Sequence, residues 1–278
     1  MSDSETAQGE IFAPDYPLAA RIFPSPNHNE RSASQRTGMV GPDCIILHYT
    51  GMKDAASALL WLANPLSKVS SHYFVFEDGR IFQMVPEIRR AWHAGVSSWH
   101  GETDLNARSI GIEIVNIGHD LSKMPPEPGA YPDFPDVQID AVIALVADIK
   151  ARWKIADSRI LAHSDVAPGR KVDPGERFPW QKLAAGGVGL WPEATPTMPT
   201  AAPSYRPGDE GMPVRALQSM FAAFGYGIEQ TGVYDKRTED VVTAFQRHWR
   251  QGRVDGVADG ETIATLRAVS LLAKPISA

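Results

Sequence analysis

ILAHSDVAPGRKVDPGERFPW, residues 160–180, decides how the rest of the chain is read. Ile160, Leu161 and Ala162 form a short apolar run that reads as the end of a strand, and His163 follows where the strand stops. A loop with two glycine-containing turns then brings Lys171 and Asp173 back toward it. A neutral nitrogen donor, a cation and a carboxylate thus fall within eleven positions. His163 and Asp173 can be two ligands of one zinc ion. Zinc in a hydrolase takes three protein ligands and keeps a fourth position open for water, so the chain must supply a third. The candidate is His48, which ends the buried-strand pattern Cys44-Ile45-Ile46-Leu47. If the two strands are neighbours with matching ends, the two imidazoles converge.

Two further segments carry chemistry. Ile110-Gly111-Ile112-Glu113-Ile114-Val115 is an apolar strand with a carboxylate in its middle. A buried glutamate is costly unless it is paired or functional, and a catalytic carboxylate beside a metal explains it better than a structural ion pair. Residues 90–108 hold Trp92, His93, Gly95, Trp99 and His100. Such a loop suits a sugar-and-peptide ligand, with aromatic faces for the sugar and polar groups for orientation. His72 reads as a sheet-face histidine, and His100 and His119 read as surface residues.

Five blocks, in order, resemble the zinc-dependent type-2 N-acetylmuramoyl-L-alanine amidases, a family that includes the AmpD-like amidases and is related to peptidoglycan recognition proteins. They are HYTG from His48, SSHYFVFEDGRIFQMV from Ser70, AWHAGVSSW from Ala91, SIGIEIVN from Ser109 and HSDVAPGRKVDPG from His163. The resemblance implies a central sheet flanked by helices with one zinc ion in a groove at one face. It also implies a substrate, the amide between the lactyl group of N-acetylmuramic acid and L-alanine. By the same resemblance His48, His163 and Asp173 bind zinc, Glu113 is the general base and then acid, and Lys171 steadies the oxyanion. All five residues are present, which speaks against a recognition protein without turnover. Trp92, His93 and Asn106 are the candidates for gripping the muropeptide.

Composition narrows the partners. A net charge of −6 argues against a nucleic-acid binder, which usually carries a basic excess. The single cysteine, Cys44, cannot form an intrachain disulfide and sits in the presumed buried strand. No stretch approaches the roughly 20 apolar residues of a membrane helix. The N-terminus has no basic segment followed by an apolar core, so no secretory signal is read there. A wall-binding domain, which the C-terminal residues resemble, points to the periplasm or cell envelope, whereas a missing signal points to the cytoplasm or to export of an antibacterial wall hydrolase.

The expected organisation has four parts. Residues 1–38, polar and rich in Ser, Pro, Asn and Arg, read as an irregular arm, and 39–191 as the α/β catalytic domain with a mixed sheet. Within that domain Asp54 caps a helix whose apolar face carries Leu59, Leu60 and Leu62, and Asp78-Gly79 turns a hairpin. A Pro-rich loop over 123–136 precedes an amphipathic helix over 137–153. Residues 192–210 are a Pro/Thr/Ala-rich linker. Residues 211–273 show three short helical patterns and resemble the small three-helix peptidoglycan-binding domain found beside wall hydrolases.

Overall fold

The computed structural model describes residues 12–120, 122, 129–192 and 202–273. In chain order the first part supplies β1 (Arg21–Ile22), β2 (His28–Glu30), β3 (Cys44–Tyr49), α1 (Ala55–Ala63), β4 (Tyr73–Val75), β5 (Ile81–Gln83) and β6 (Arg89–Ala91). Then come α2 (Leu105–Arg108), β7 (Ser109–Ile114), α3 (Asp136–Trp153), β8 (Ile160–Ala162), α4 (His163–Val166) and α5 (Trp180–Ala185). Residues 123–128 of the expected Pro-rich loop and 193–201 of the expected linker lie outside the described residues. Beyond them stand α6 (Met212–Phe224), α7 (Lys236–Trp249) and α8 (Gly260–Leu272).

Six strands form one mixed sheet in the order β1-β5-β4-β7-β3-β8. The middle strands are parallel and apolar on both faces because both faces are covered. Ile45, Leu47, Ile110 and Ile112 pack under α3 through Ile139, Val142, Val146 and Ile149. Cys44, Ile46 and Leu161 point the other way, into a cluster completed by Phe221, Phe245 and other C-terminal side chains. The C-terminal helices are therefore packed directly on the catalytic sheet. Trp99, expected in a ligand-binding loop, is instead fully buried at this junction, against Phe224 and Tyr226.

Local signals explain most boundaries. Asp54 accepts the Ser57 amide at 2.7 Å and starts α1. Leu59 and Leu62 of α1 are buried, but Leu60 turns to solvent, since successive helical residues are rotated by about 100°. Gly79, at φ +83°, turns the chain from β4 into antiparallel β5.

The N-terminal arm departs from expectation. β1 pairs in parallel with β5 and extends the sheet edge, and β2 pairs with β6. The arm lacks apolar periodicity because polar side chains anchor it. Buried Arg31 donates to the carbonyls of Glu87, Asn106, Ala107 and Ser109 at 2.9–3.1 Å, and its Nη2 lies 3.0 Å from His72 Nε2. Truncation would leave those carbonyls without their donors. Arg31→Met is expected to lower unfolding free energy by about 3 kcal/mol. Arg31→Lys should recover little of it, because an ammonium cannot span the same fork. Urea unfolding of the three proteins checks this.

Candidate metal centre and cleft

β8 runs parallel to β3 with Leu47 opposite Ala162, so the next residues, His48 and His163, stand at the same level. On the other side of β3, β7 sets Glu113 in register with His48, and paired residues on neighbouring strands project to one face. The loop after His163 closes on itself: the Ser164 amide donates to the Asp173 carbonyl at 3.0 Å, and the Lys171 amide to that of Ala167 at 3.0 Å. Asp173 is thereby returned to His163.

Three donor atoms meet there. His48 Nδ1 and His163 Nδ1 are 2.9 Å apart, and each lies 3.0 Å from Asp173 Oδ2. All three residues are buried. Donors around a tetrahedral zinc ion with bonds of about 2.0–2.1 Å stand about 3.3 Å apart, so this triangle has a suitable size and a suitable donor set. The group can hold a metal ion.

The hydrogen bonds behind the triangle fix which nitrogens face it. His163 Nε2 lies 3.0 Å from the Ala94 carbonyl, which only accepts, so Nε2 carries the proton and Nδ1 keeps its lone pair. Behind His48 the chain is longer. Ser109 gives its hydroxyl proton to the Leu105 carbonyl, so its oxygen accepts from His93 Nε2 at 3.1 Å. His93 Nδ1 then accepts from His48 Nε2 at 3.0 Å. His48 Nδ1 is left bare toward His163 and Asp173. Burial, with His163 adding to it, lowers the His48 imidazole to about 4, and burial with His48 holds His93 well below the usual histidine range. Both rings are neutral at pH 7, as lone-pair donation requires. Burial opposes ionisation of Asp173, but the two imidazoles outweigh it and hold the carboxyl well below its usual range.

A cleft of about 360 Å³ opens over the triangle. Glu113 and Lys171 line it, together with Tyr49, Trp61, Ser70 and Trp92. Glu113 Oε2 is buried and has no hydrogen-bond partner among the described residues. Burial, with Asp173 adding to it and Lys171 opposing, raises the Glu113 carboxyl well above the usual range.

Residues 38–176 match the protein family described as N-acetylmuramoyl-L-alanine amidase. Over 237 residues the chain is 39% identical to N-acetylmuramoyl-L-alanine amidase AmiD of Escherichia coli K12, covering 81% of each protein. The chain belongs to the N-acetylmuramoyl-L-alanine amidase family. Residues 210–266 match a second family, described as a putative peptidoglycan-binding domain. The amidase fold is also that of solved relatives. The E. coli AmiD structure superposes with a TM-score of 0.73 at 36% identity, covering 86% of this chain and 92% of that one. AmpDh3 of Pseudomonas aeruginosa does so at 0.69 and 31% identity, covering 86% and 95%.

Of the amidase's expected substrate-gripping residues, Trp92 and His93 line the cleft, whereas Asn106 is not among its lining residues. Asn106 is buried, and its side-chain oxygen accepts the amides of His93 at 2.9 Å and Ala94 at 2.7 Å. It holds the loop that supports the two histidines rather than facing the cleft. His93 reaches the cleft wall, but its ring nitrogens are spent on His48 and Ser109. Trp92 lines the cleft, with its indole nitrogen donating to Asn29 at 2.6 Å. His119, expected on the surface, is buried between the Tyr49 hydroxyl and Glu176, each at 3.0 Å. Trp61 and Tyr49 went unread as cleft residues. Trp61 follows two leucines on an amphipathic helix, and Tyr49 simply extends an apolar strand.

Gly111 makes room for the His93 ring: a Cβ there would lie 2.4 Å from it. Gly111→Ala must therefore push His93 off His48 without touching a donor of the triangle. Gly111→Ala and His93→Ala are each expected to weaken divalent-metal affinity by about 10- to 100-fold, read by competition with a chromophoric chelator.

Proposed function

We propose that this amidase is a zinc enzyme holding one ion per chain on His48, His163 and Asp173, with Glu113 and Lys171 as its catalytic residues. The observation that carries the proposal is the mutual 2.9–3.0 Å spacing of two bare imidazole nitrogens and a carboxylate oxygen, all buried. When bound, zinc supplies Lewis acidity that polarises a carbonyl and makes water acidic near neutral pH.

The chain's own groups supply the rest. Glu113, in register with His48, takes a proton from the attacking water. The carbonyl carbon gains that oxygen, and negative charge develops on the carbonyl oxygen. Lys171, held two residues before Asp173 and lining the same cleft, places its cation toward that charge. The carbon–nitrogen bond then breaks, and Glu113 returns its proton to the leaving nitrogen. The products are the muramic carboxylate and a peptide with a free L-alanine amine. Trp92 and Trp61 offer aromatic surface to the apolar face of the sugar.

The related structures, by their descriptions, hold anhydro-N-acetylmuramic acid-L-Ala-D-gamma-Glu-L-Lys and an anhydromuramic pentapeptide, which supports muropeptides as the substrate class here. The match of 210–266 to a peptidoglycan-binding family supports action on the wall, in the cell envelope. No described helix is long and apolar enough to cross a membrane.

Chelation should abolish cleavage of a soluble muropeptide, and stoichiometric zinc should restore it. Mass analysis should find the stem peptide with its L-alanine amine free. Glu113→Gln should lower kcat by about 10²- to 10⁴-fold while zinc affinity holds. Lys171→Met should lower kcat by about 10²- to 10³-fold. Full activity of the demetallated protein, or an undiminished Glu113→Gln enzyme, would overturn the mechanism.

A further inference from the structure

The segment that delivers His163, Lys171 and Asp173 is gripped along its length by the C-terminal helices. Asp165, two residues after His163, is fully buried. Its Oδ1 accepts the Tyr226 hydroxyl at 2.7 Å, and its Oδ2 accepts His248 Nδ1 at 2.7 Å and the Ala162 amide at 2.8 Å. Both side-chain partners come from the C-terminal part. Among the described residues the catalytic part gives this carboxylate only one main-chain amide, and a buried carboxylate with so little support is costly. Further along, Arg237 of α7 donates to the Pro168 carbonyl at 3.0 Å. Gly169 passes so close to α7 that a Cβ there would lie 2.3 Å from Asp240. Gln251 donates to the Phe178 carbonyl at 2.6 Å, and the His248 ring stacks on Trp180 with centroids 3.6 Å apart.

We propose that the C-terminal helical unit is a positioning element of the active site: Tyr226 and His248, through Asp165, hold the segment that presents His163, Lys171 and Asp173. This rests on the zinc reading of the triangle and adds to it. The unit then acts on every substrate, including one too small to touch it. A domain that only anchors the enzyme to polymeric wall would leave small substrates unaffected.

The physical reason lies in the site's tolerance. Donor atoms held 2.9–3.0 Å apart must be kept in place before the ion arrives, or ordering them is charged against metal affinity. His163 begins a helix of four residues, too short to be rigid by itself. Asp165 accepts the amide of Ala162, just before His163, and so links the end of β8 to Tyr226 and His248.

The test uses the full chain with Tyr226→Phe, the double variant Tyr226→Phe/His248→Ala, and Arg253→Ala as a control. Arg253 is exposed in the C-terminal unit, and among the described residues its side chain pairs only with Asp255 and Asp259 there. Three quantities are read: zinc affinity by chelator competition, amide exchange of residues 163–175 in metal-free protein, and kcat and KM on a soluble anhydro-muropeptide. Tyr226→Phe, which is nearly isosteric and keeps the fold, should lose several-fold in zinc affinity, and the double variant about 10- to 100-fold. Both should exchange faster over 163–175 and lose kcat with little change in KM, while Arg253→Ala matches the wild type. The proposal is overturned if Tyr226→Phe and the double variant keep wild-type zinc affinity, exchange and kcat, and lose only binding to sedimented wall. A wild-type chain that binds no zinc would instead defeat the zinc reading, and the exchange measurement would still decide whether the helices hold the segment.

Discussion

Two imidazole nitrogens and one carboxylate oxygen, buried and about 3 Å from one another, form an arrangement that folding does not produce cheaply. Three lone-pair donors turned toward a common centre repel one another and have given up water. Buried Arg31, by contrast, pairs donor with acceptor on four main-chain carbonyls. The triangle has the donor set and spacing that a cation would complete, and the hydrogen bonds around it hold the three atoms in place.

The hold comes from two levels. The sheet sets the coarse position: parallel β3 and β8 pair as far as Leu47 and Ala162, so the two histidines that follow stand at one height, and β7 adds Glu113 in register. Hydrogen bonds then set orientation. The run from His48 through His93 and Ser109 to the Leu105 carbonyl, with His163 on the Ala94 carbonyl, points both Nδ1 atoms inward. Asn106 steadies the backbone that carries His93 and the Ala94 carbonyl. A contact two layers from the donors can therefore govern how they meet, and the same logic extends across the junction to Tyr226 and His248.

Much of this was legible in the sequence because it is written in local patterns. Apolar runs that stop at His48 and His163 mark strand ends, and a carboxylate inside an apolar strand marks Glu113. Asp54 and Gly79 declare a helix start and a hairpin. The remainder depends on contacts that leave no periodic trace. The arm was read as irregular because its anchors, Asn27 and Arg31, are polar and bind main-chain carbonyls. His119 was read as exposed because its partner, Glu176, lies far along the chain. His93 and Asn106 were assigned to substrate because one lies in a loop of aromatic and polar groups and the other stands just before the Glu113 strand. Sequence could not show that both ring nitrogens of His93 and the side-chain oxygen of Asn106 are already engaged. The Pro-rich stretch before α6 suggested a module set apart by a linker, while Phe221, Phe245 and Trp99 bury themselves in a core shared with the sheet.

The central claim is that these three atoms share one ion. Diffraction from zinc-loaded crystals, recorded on both sides of the zinc absorption edge, tests it most directly. The account predicts a single strong anomalous peak within bonding distance of His48 Nδ1, His163 Nδ1 and Asp173 Oδ2, with Glu113 facing it across the cleft. A peak bounded by other residues, or three donors that close on one another without an ion, would contradict it.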